Sequence, residues 1–274
     1  MIDAGRLRQL LLELLAIPSP CGLTDEVIRY IASALEELGI EYQITRRGTI
    51  RARLPGTGSR GMARAIVNHV DSIGAMVKRI RSDGRLEVAP IGYWSSRYAE
   101  GVRVTLFSEH RQFRGTLLAS MTWGTSRDEG AEDLPINWDH IELRLDEPGY
   151  NEADVKALGI DIGDFVDLDS SPEVLENGFI VGRNIDNKAG AAAVMVALEH
   201  VVAENLALPS DVYFLFTVTE SIGTGVGSAI LPEVSELLTV DFRAWKFITI
   251  KSGCSNPINL TKSTKVVLDQ CLRS

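Results

Sequence analysis

The sequence predicts an α/β fold in which a mixed sheet is sandwiched by helices and is interrupted by an inserted small β-barrel domain. Near both ends of the chain, stretches with helical apolar spacing alternate with short apolar runs, as in α/β domains. The middle of the chain instead holds many short runs separated by turn residues, which is typical of a small barrel or sandwich. The run from Asp211 to Val218 is apolar without alternation and favours a central strand buried on both faces.

The first α/β segment is expected to contain two helices and three strands. Residues 1–20 have the pattern of an amphipathic helix, and no small-residue cleavage site follows a basic region as in a signal peptide. A second helix is predicted over residues 24–39, with Thr24 as the N-cap and Gly39 as the stop. Short runs rich in β-branched residues predict strands at 42–45, 49–54 and 65–70.

We place the inserted β-rich domain at residues 73–172, so that the α/β domain is discontinuous and comprises residues 1–72 and 173–274. After the insertion, a helix that is apolar on nearly all faces is predicted from Lys188 to about Glu204. A further strand is expected at 237–240. The strand candidates within the insertion are 74–80, 86–90, 102–107, 115–119 and 141–145, with a turn of helix at 151–158.

Composition restricts the class of protein. The chain has 274 residues and a formal net charge of −9, and its Lys and Arg residues are not clustered as nucleic-acid binding requires. No window approaches the roughly 18 apolar residues that a membrane span needs. The three cysteines, Cys21, Cys254 and Cys271, form neither a disulfide framework nor a zinc ribbon. We therefore expect a cytoplasmic protein whose partners are small molecules or peptides, with no nucleic acid and no membrane.

Acidic and imidazole side chains follow apolar strands at three places in the chain. His69 and Asp71 follow the first, Glu220 the second and Asp241 the third, and Asp186 precedes the buried helix. Ligands of open α/β sheets bind beyond the carboxyl ends of the strands. An imidazole with carboxylates is a donor set that zinc accepts, and a further carboxylate is needed to take a proton from water. The spacing of His69 and Asp71 lets this Asp reach the far ring nitrogen and fix its tautomer.

Four motifs in order resemble those of the tetrahedral, or deblocking, aminopeptidases, the glutamyl aminopeptidase family once misnamed endoglucanase M. The similarity covers roughly residues 5–241. It implies a phosphorylase/hydrolase-like metallo-aminopeptidase domain with a dinuclear metal site, and a small β-rich domain that assists oligomer assembly. The motifs are NHVDSIGAMV (68–77), GIDIGDFVDLD (159–169), GRNIDNKAG (182–190) and FTVTESIG (216–223).

The resemblance also implies a role for each candidate residue. His69 and Asp241 would hold the first metal, Asp186 would bridge the two metals, and Asp71 would orient His69. Glu220 would be the general base that deprotonates water for attack on the peptide carbonyl. The implied activity is a metal-dependent aminopeptidase that acts on peptides or small amides and works as a homo-oligomer. Zinc is the expected metal, and cobalt or manganese would also accept these ligands.

The chain departs from the family pattern at the second metal. The family pairs two glutamates where this chain has Glu220 and Ser221, and the second glutamate is a ligand of the second metal. A final histidine ligand is expected well beyond Asp241, and none follows it. We therefore expect one metal per chain, with water as its fourth ligand, and reduced activity. The histidines of the chain are His69, His110, His140 and His200.

The similarity to the family stops after Asp241. This predicts either a truncated or frameshifted tail, or genuine divergence, and a catalytic domain that is incomplete at its C-terminal end. Residues 245–250 are a candidate replacement edge strand.

Two other functions stay open on the sequence. Glu220 with a single zinc would suffice for an amidase or deacylase acting on a small N-acylated peptide osmolyte. A catalytically impaired metal-binding or assembly subunit would bind metal or partners without turnover. The aromatic residues Tyr93, Trp94 and Tyr98 are expected in the core or at an interface of the insertion.

Overall fold

The structure is a computed structural model that describes residues 3–58, 63–120, 135–241 and 249–251. Cys254 and Cys271, and the greater part of the tail beyond Asp241, lie outside these residues. Residues 249–251 are described and form a strand at the edge of a sheet, in agreement with the end of the candidate edge strand at 245–250. The other expectations about the tail stay predictions.

The chain divides into two compact units. Residues 1–72 and 170–274 form the first, here called the α/β unit, and residues 73–169 form the second, the barrel unit. The barrel unit ends three residues before the limit expected from the sequence. The amide of Asp169 still donates to the carbonyl of Arg103 in the barrel, whereas the carbonyl of Ser170 accepts from Arg183 in the α/β unit.

Five helices and fourteen strands are present in the described residues. The helices are α1 (Ala4–Ala16), α2 (Asp25–Glu37), α3 (Glu152–Ala157), α4 (Ile185–Ala203) and α5 (Val226–Ala229). The strands are β1 (Glu41–Ile44), β2 (Ile50–Leu54), β3 (Ala63–His69), β4 (Gly74–Ile80), β5 (Leu86–Ile91), β6 (Arg103–Phe107), β7 (Gln112–Ala119), β8 (Ile141–Leu145), β9 (Phe165–Leu168), β10 (Glu173–Val174), β11 (Ile180–Val181), β12 (Val212–Thr217), β13 (Val234–Thr239) and β14 (Thr249–Lys251).

The α/β unit is built on a six-stranded sheet with the order β1-β2-β12-β3-β13-β14. Strand β3 runs parallel to both β12 and β13, whereas β2 is antiparallel to β12 and β14 is antiparallel to β13. The sheet is therefore mixed, and the predicted α/β fold class is confirmed. The parallel strands β3, β12 and β13 bring their carboxyl ends to one edge of the sheet.

Apolar side chains cover both faces of this sheet. Phe214 and Phe216 of β12 pack into the core that holds α1, α2 and α4, and Leu215 packs with Ala229 of α5 on the other face. All three β12 side chains are buried, as expected for a central strand. Helix α1 begins after Asp3, whose carboxylate accepts from the amides of Gly5 and Arg6. Across the described residues, every helix is too short or too polar to cross a membrane.

The barrel unit is a closed six-stranded barrel with the order β4-β5-β8-β7-β6-β9. The predicted small barrel is confirmed, and its interior holds fully buried side chains such as Phe113, Leu117 and Leu143. Strand β9 closes the barrel by pairing with β4 and β6. The sequence pattern does not predict β9, because Asp167 interrupts the apolar run of its four residues, FVDL, although this aspartate is buried in the structure. Trp94 packs edge-on against Trp138 with ring centroids 4.5 Å apart, while Tyr93 is exposed.

Candidate metal centre

Three of the five predicted site residues lie at the carboxyl ends of the parallel strands. His69 is the last residue of β3, Glu220 follows β12 and Asp241 follows β13. Backbone hydrogen bonds hold these strand ends in register, because the amide of Val70 donates to Thr217 and that of Val240 donates to Val67. The topology of the sheet thus carries side chains from distant parts of the chain to one edge.

Asp186 reaches the same edge from the start of α4. Asn184 before the helix has a left-handed backbone with φ of 59°, and Asp186 itself is non-helical with ψ of 109°. This irregular start takes Asp186 off the helical path. Its Oδ1 lies 3.2 Å from Nε2 of His69.

The atoms that face one another have the spacing of metal ligands. Nε2 of His69 is 3.2 Å from Oδ1 of Asp186 and 3.7 Å from Oδ1 of Asp241, and the three ligand atoms lie within 4.8 Å of one another. Neighbouring ligands of a tetrahedral zinc ion, with bonds of about 2.0–2.2 Å, are about 3.3–3.6 Å apart. The donor set therefore fits a divalent metal ion. Within the described ranges, no other group of three His, Cys, Asp or Glu residues meets this spacing.

Nδ1, the other ring nitrogen of His69, contacts Asp71 through the backbone of that residue, whereas the sequence predicts a contact with its side chain. Nδ1 lies 3.0 Å from the backbone carbonyl oxygen of Asp71 and 3.6 Å from its carboxylate. The backbone carbonyl is therefore the hydrogen-bond acceptor. An Nδ1–H that donates to this carbonyl leaves the Nε2 lone pair for a metal.

The carboxylate of Asp71 instead binds the segment that carries Glu220. Its Oδ1 accepts from the amide of Glu220 at 3.2 Å, and its Oδ2 accepts from the amide of Ser221 at 2.9 Å. The Asp71 side chain is fully buried. It therefore fixes the backbone at Glu220, while its own carbonyl fixes the ring of His69.

Negative charge dominates the electrostatics of the site. Burial alone would lower the pKa of His69, but the neighbouring carboxylates of Asp186, Asp241 and Asp71 outweigh it and raise the pKa to about 12. Burial is the largest cause that raises the pKa of Glu220; the charges of Asp241, Asp71 and Asp186 raise it further, and the charge of His69 lowers it. A protonated His69 ring therefore offsets part of the negative charge of the site when no metal is bound.

Glu220 lies beside these three donor residues and faces a cleft. Its Oε2 is 3.5 Å from Nε2 of His69, and its side chain is partly exposed. The cleft has a volume of about 610 Å³ and is lined by Arg47, Glu220 and residues 223–228. Gly225 has φ of 159°, a backbone conformation that residues with a Cβ rarely adopt, and a Cβ there would lie 3.3 Å from Oγ1 of Thr217, so glycine is favoured at this position.

Asn187 and Lys188, the two polar residues that follow Asp186, support the site. Neither is among the site residues predicted from the sequence. Asn187 is fully buried, and its Nδ2 donates to the carbonyl of Val240, next to Asp241, at 2.7 Å. Lys188 is also buried and donates to the carbonyl of Ile17 after α1. The sequence signal for this role is a pair of polar residues, Asn187 and Lys188, at the start of an otherwise apolar helix. Together they anchor the start of α4 to the end of β13 and to the end of α1.

The sequence profile of the M42 glutamyl aminopeptidase family matches residues 48–253. The chain belongs to this family. The resemblance drawn from the four motifs is thereby confirmed.

Relatives of this M42 chain agree with the assignment. It is 37% identical over 246 residues to the putative aminopeptidase YhfE of Bacillus subtilis, covering 89% of this chain and 70% of YhfE. Two solved structures have the same fold. Aminopeptidase APDkam598 of Desulfurococcus kamchatkensis matches with a TM-score of 0.71 and 24% identity, over 80% of this chain and 58% of that one. The TET1 peptidase of Pyrococcus horikoshii matches with a TM-score of 0.67 and 21% identity, over 79% of this chain and 62% of that one. It is described as able to assemble into a tetrahedron or a large octahedral shell.

We expect that Asp71→Asn will loosen the backbone that carries Glu220. Asparagine replaces one of the two carboxylate oxygens by an NH₂ group, which is a donor and cannot accept from the Glu220 or Ser221 amide that it then faces. Hydrolysis of aminoacyl p-nitroanilides should fall by about 10–100-fold at saturating metal, as for other residues that support a metal site. Ser72→Ala is the matched control, because the buried Ser72 hydroxyl makes no hydrogen bond to the described residues. An Asp71→Asn rate equal to that of Ser72→Ala would contradict this role.

Binding of a divalent metal to the metal-free chain should release one proton from His69 at about pH 7.5. The pKa of His69 is raised to about 12 in the absence of metal, so its ring is charged at this pH and must lose a proton to act as a ligand. A histidine of ordinary pKa would release about 0.1 proton. Metal affinity should therefore rise with pH through neutrality.

The measurement is calorimetric titration with zinc in two buffers of different ionisation enthalpy. His200→Ala, a change at a distant histidine on α4, controls for protons released elsewhere in the chain. A release close to 0.1 proton at this pH would show that the charged ring is not the resting state of the site.

Proposed function

We propose that the chain is a metal-dependent aminopeptidase, which removes the first residue of a peptide by means of a water activated by one bound metal ion. The observation that carries the proposal is the convergence of His69, Asp186 and Asp241 on one point, with Glu220 3.5 Å from the same ring nitrogen. Membership of the M42 family supports it. The chain spans 70% of YhfE and 58% of APDkam598, so the activity is proposed for the protein to which these residues belong.

Glu220 and Asp71 act beside the metal ligands in this mechanism. When bound, the metal supplies Lewis-acid chemistry that polarises the scissile carbonyl and acidifies a water. Glu220 takes the proton from this water and delivers it to the leaving amine, and burial raises its pKa so that it can hold the proton between the two steps. Asp71 holds Glu220 in place through two backbone amides. The Asp71 carbonyl orients His69.

The charge of the site favours a substrate with a free amino group. Asp186, Asp241 and Glu220 place three carboxylates at one edge of the sheet, close to the cleft. This negative field attracts a positively charged α-amino group and retains part of its effect when a single divalent ion is present. Selection of the N-terminal residue follows, because only there does a peptide carry an ammonium beside its scissile bond.

We further propose zinc as the metal and one ion per chain. One imidazole and two carboxylates with an open fourth position are the general form of a catalytic zinc site, and cobalt or manganese would accept the same donors. The single group of three donors in the described residues supports this number. Ser221, where the family resemblance expects a glutamate, offers only a weakly binding hydroxyl.

Assembly and location are part of the same proposal. We propose that the α/β unit is the catalytic domain, that the barrel unit assists assembly, and that the protein is a cytoplasmic homo-oligomer. The assembly of the P. horikoshii relative supports the oligomer. A reduced and buried Cys21 supports a reducing compartment.

An amidase acting on an N-acylated osmolyte and an impaired binding subunit are not favoured. An N-acylated substrate lacks the ammonium that the acidic edge attracts, and the candidate base Glu220 is present beside the three donors. The matched family and YhfE are both described as aminopeptidases.

Glu220→Gln should lower kcat by at least about 100-fold and leave the metal content unchanged. The amide cannot accept the proton of the attacking water, and Glu220 is not among the three donors that meet at the metal. Hydrolysis of aminoacyl p-nitroanilides and metal analysis of the same sample measure the two effects. Glu233→Gln is the matched control, since Glu233 lies outside the cleft lining and its hydrogen-bond donor among the described residues is Tyr213. A Glu220→Gln variant with the rate of this control would refute the proposed base.

The purified protein should contain one zinc per chain after dialysis. Asp241→Ala removes one of the three donors and should leave less than one ion per chain under the same conditions. Inductively coupled plasma mass spectrometry with protein quantification measures the ratio. Two ions per chain, together with full activity, would refute the single-metal site.

A further inference from the structure

The hairpin between β1 and β2 lies at the catalytic edge of the sheet. Ile50 at the start of β2 pairs with Phe216 near the end of antiparallel β12, so the hairpin turn extends beyond the end of β12. A Cβ at Gly48 in the turn would lie 3.5 Å from Cγ2 of Val218. The turn therefore lies beside the segment that leads to Glu220.

The turn carries one cation into the cleft. Arg47 and Glu220 are the two charged residues that line the cleft, and the rest of the lining, residues 223–228, is neutral. Arg47 makes no hydrogen bond or ion pair with the described residues. The arginines that follow on β2 are engaged, since Arg51 binds backbone carbonyls and Arg53 binds Asp211. The guanidinium of Arg47 is thus open to an anion from outside the chain.

The opposite wall of the cleft is fastened to the strand that follows this turn. Nε of Arg51 donates to the carbonyl of Ala229 at 2.9 Å, and Nη2 donates to that of Ser228 at 3.0 Å. Thr219 and Thr224 close the base of the loop by donating their hydroxyls to each other's carbonyls. Both walls are therefore fixed to the sheet, and the cleft does not depend on a substrate to form it.

We infer that Arg47 is a specificity-determining residue that binds a carboxylate of the substrate. This inference rests on the proposed aminopeptidase function. A substrate carboxylate near Glu220, Asp186 and Asp241 is repelled unless a cation accompanies it, and a guanidinium binds a carboxylate through two parallel hydrogen bonds. The carboxylate is either the side chain of an acidic first residue or the C-terminus of a short peptide. A cleft of about 610 Å³ has room for either.

The test compares substrates that differ only in one carboxylate. Glutamyl and glutaminyl p-nitroanilides isolate the side chain, and Leu-Gly-Gly with its C-terminal amide isolates the C-terminus. For each pair, the ratio of kcat/KM with and without the carboxylate is measured for the unaltered chain, for Arg47→Gln and for Arg46→Gln. Arg46 is the neighbouring exposed arginine of the same turn and does not line the cleft. It is therefore the matched control.

Arg47→Gln should lower the ratio of one pair by at least about tenfold, the effect of losing a hydrogen-bonded charge pair. Arg46→Gln should leave both ratios unchanged. A fall in the glutamyl ratio assigns the carboxylate to the first residue, and a fall in the peptide ratio assigns it to the C-terminus. Equal effects of Arg47→Gln and Arg46→Gln, or no change in either ratio, would overturn the inference.

Failure of the proposed function gives a different result. In that case the unaltered chain hydrolyses none of the four substrates, whether charged or neutral. Calorimetric binding of Leu-Gly-Gly, of its amide, and of glutamyl and glutaminyl amides to the zinc-loaded chain then replaces the kinetic ratios. A tenfold weaker preference for the carboxylate in Arg47→Gln supports the inference even without turnover, and an unchanged preference overturns it.

Discussion

The crowding of carboxylates around the His69 imidazole is the constraint on which the site depends. Three carboxylate oxygens lie 3.2 to 3.7 Å from Nε2, and the Asp71 carboxylate lies 3.6 Å from Nδ1. Like charges at such distances repel strongly in a partly buried position, so a cation must accompany them. A divalent ion between His69, Asp186 and Asp241 meets this need, and the imidazolium meets it in part when no ion is bound.

The fold supplies the rigidity that keeps these charges together. His69 ends one of three parallel strands that are hydrogen-bonded in register, and Glu220 and Asp241 follow the other two, so the sheet holds the backbones of these residues close together. Asp186 belongs to a helix, and Asn187 ties the start of that helix to the carbonyl beside Asp241. Repulsion between the carboxylates is thus opposed by backbone hydrogen bonds on every side. Such a site is prepared for a metal before the metal binds.

The elements and the members of the site could be predicted from sequence, but their contacts could not. Apolar runs that end in His69, Glu220 and Asp241 predict strand ends, and strand ends of a parallel sheet meet at one edge. Strand β9 escaped prediction because a buried Asp167 interrupts its apolar pattern. The position of Arg47 in the cleft depends on the register of the β1–β2 hairpin against β12, and the residue pattern of these short strands does not specify that register.

The contacts of Asp71 show what the spacing of two residues in the sequence does not predict, namely which atoms make the contact. The His-x-Asp spacing predicts contact between the two residues, and contact is present, but the carbonyl of Asp71 makes it while the carboxylate binds Glu220 and Ser221. Since the bond to Ser221 uses its backbone amide, every residue except proline can make it at this position. A serine in place of the expected glutamate therefore removes a carboxylate from the edge without releasing Glu220. One negative charge fewer also lowers the need for a second cation, and the local departure from the family pattern is consistent with a site that holds a single metal ion.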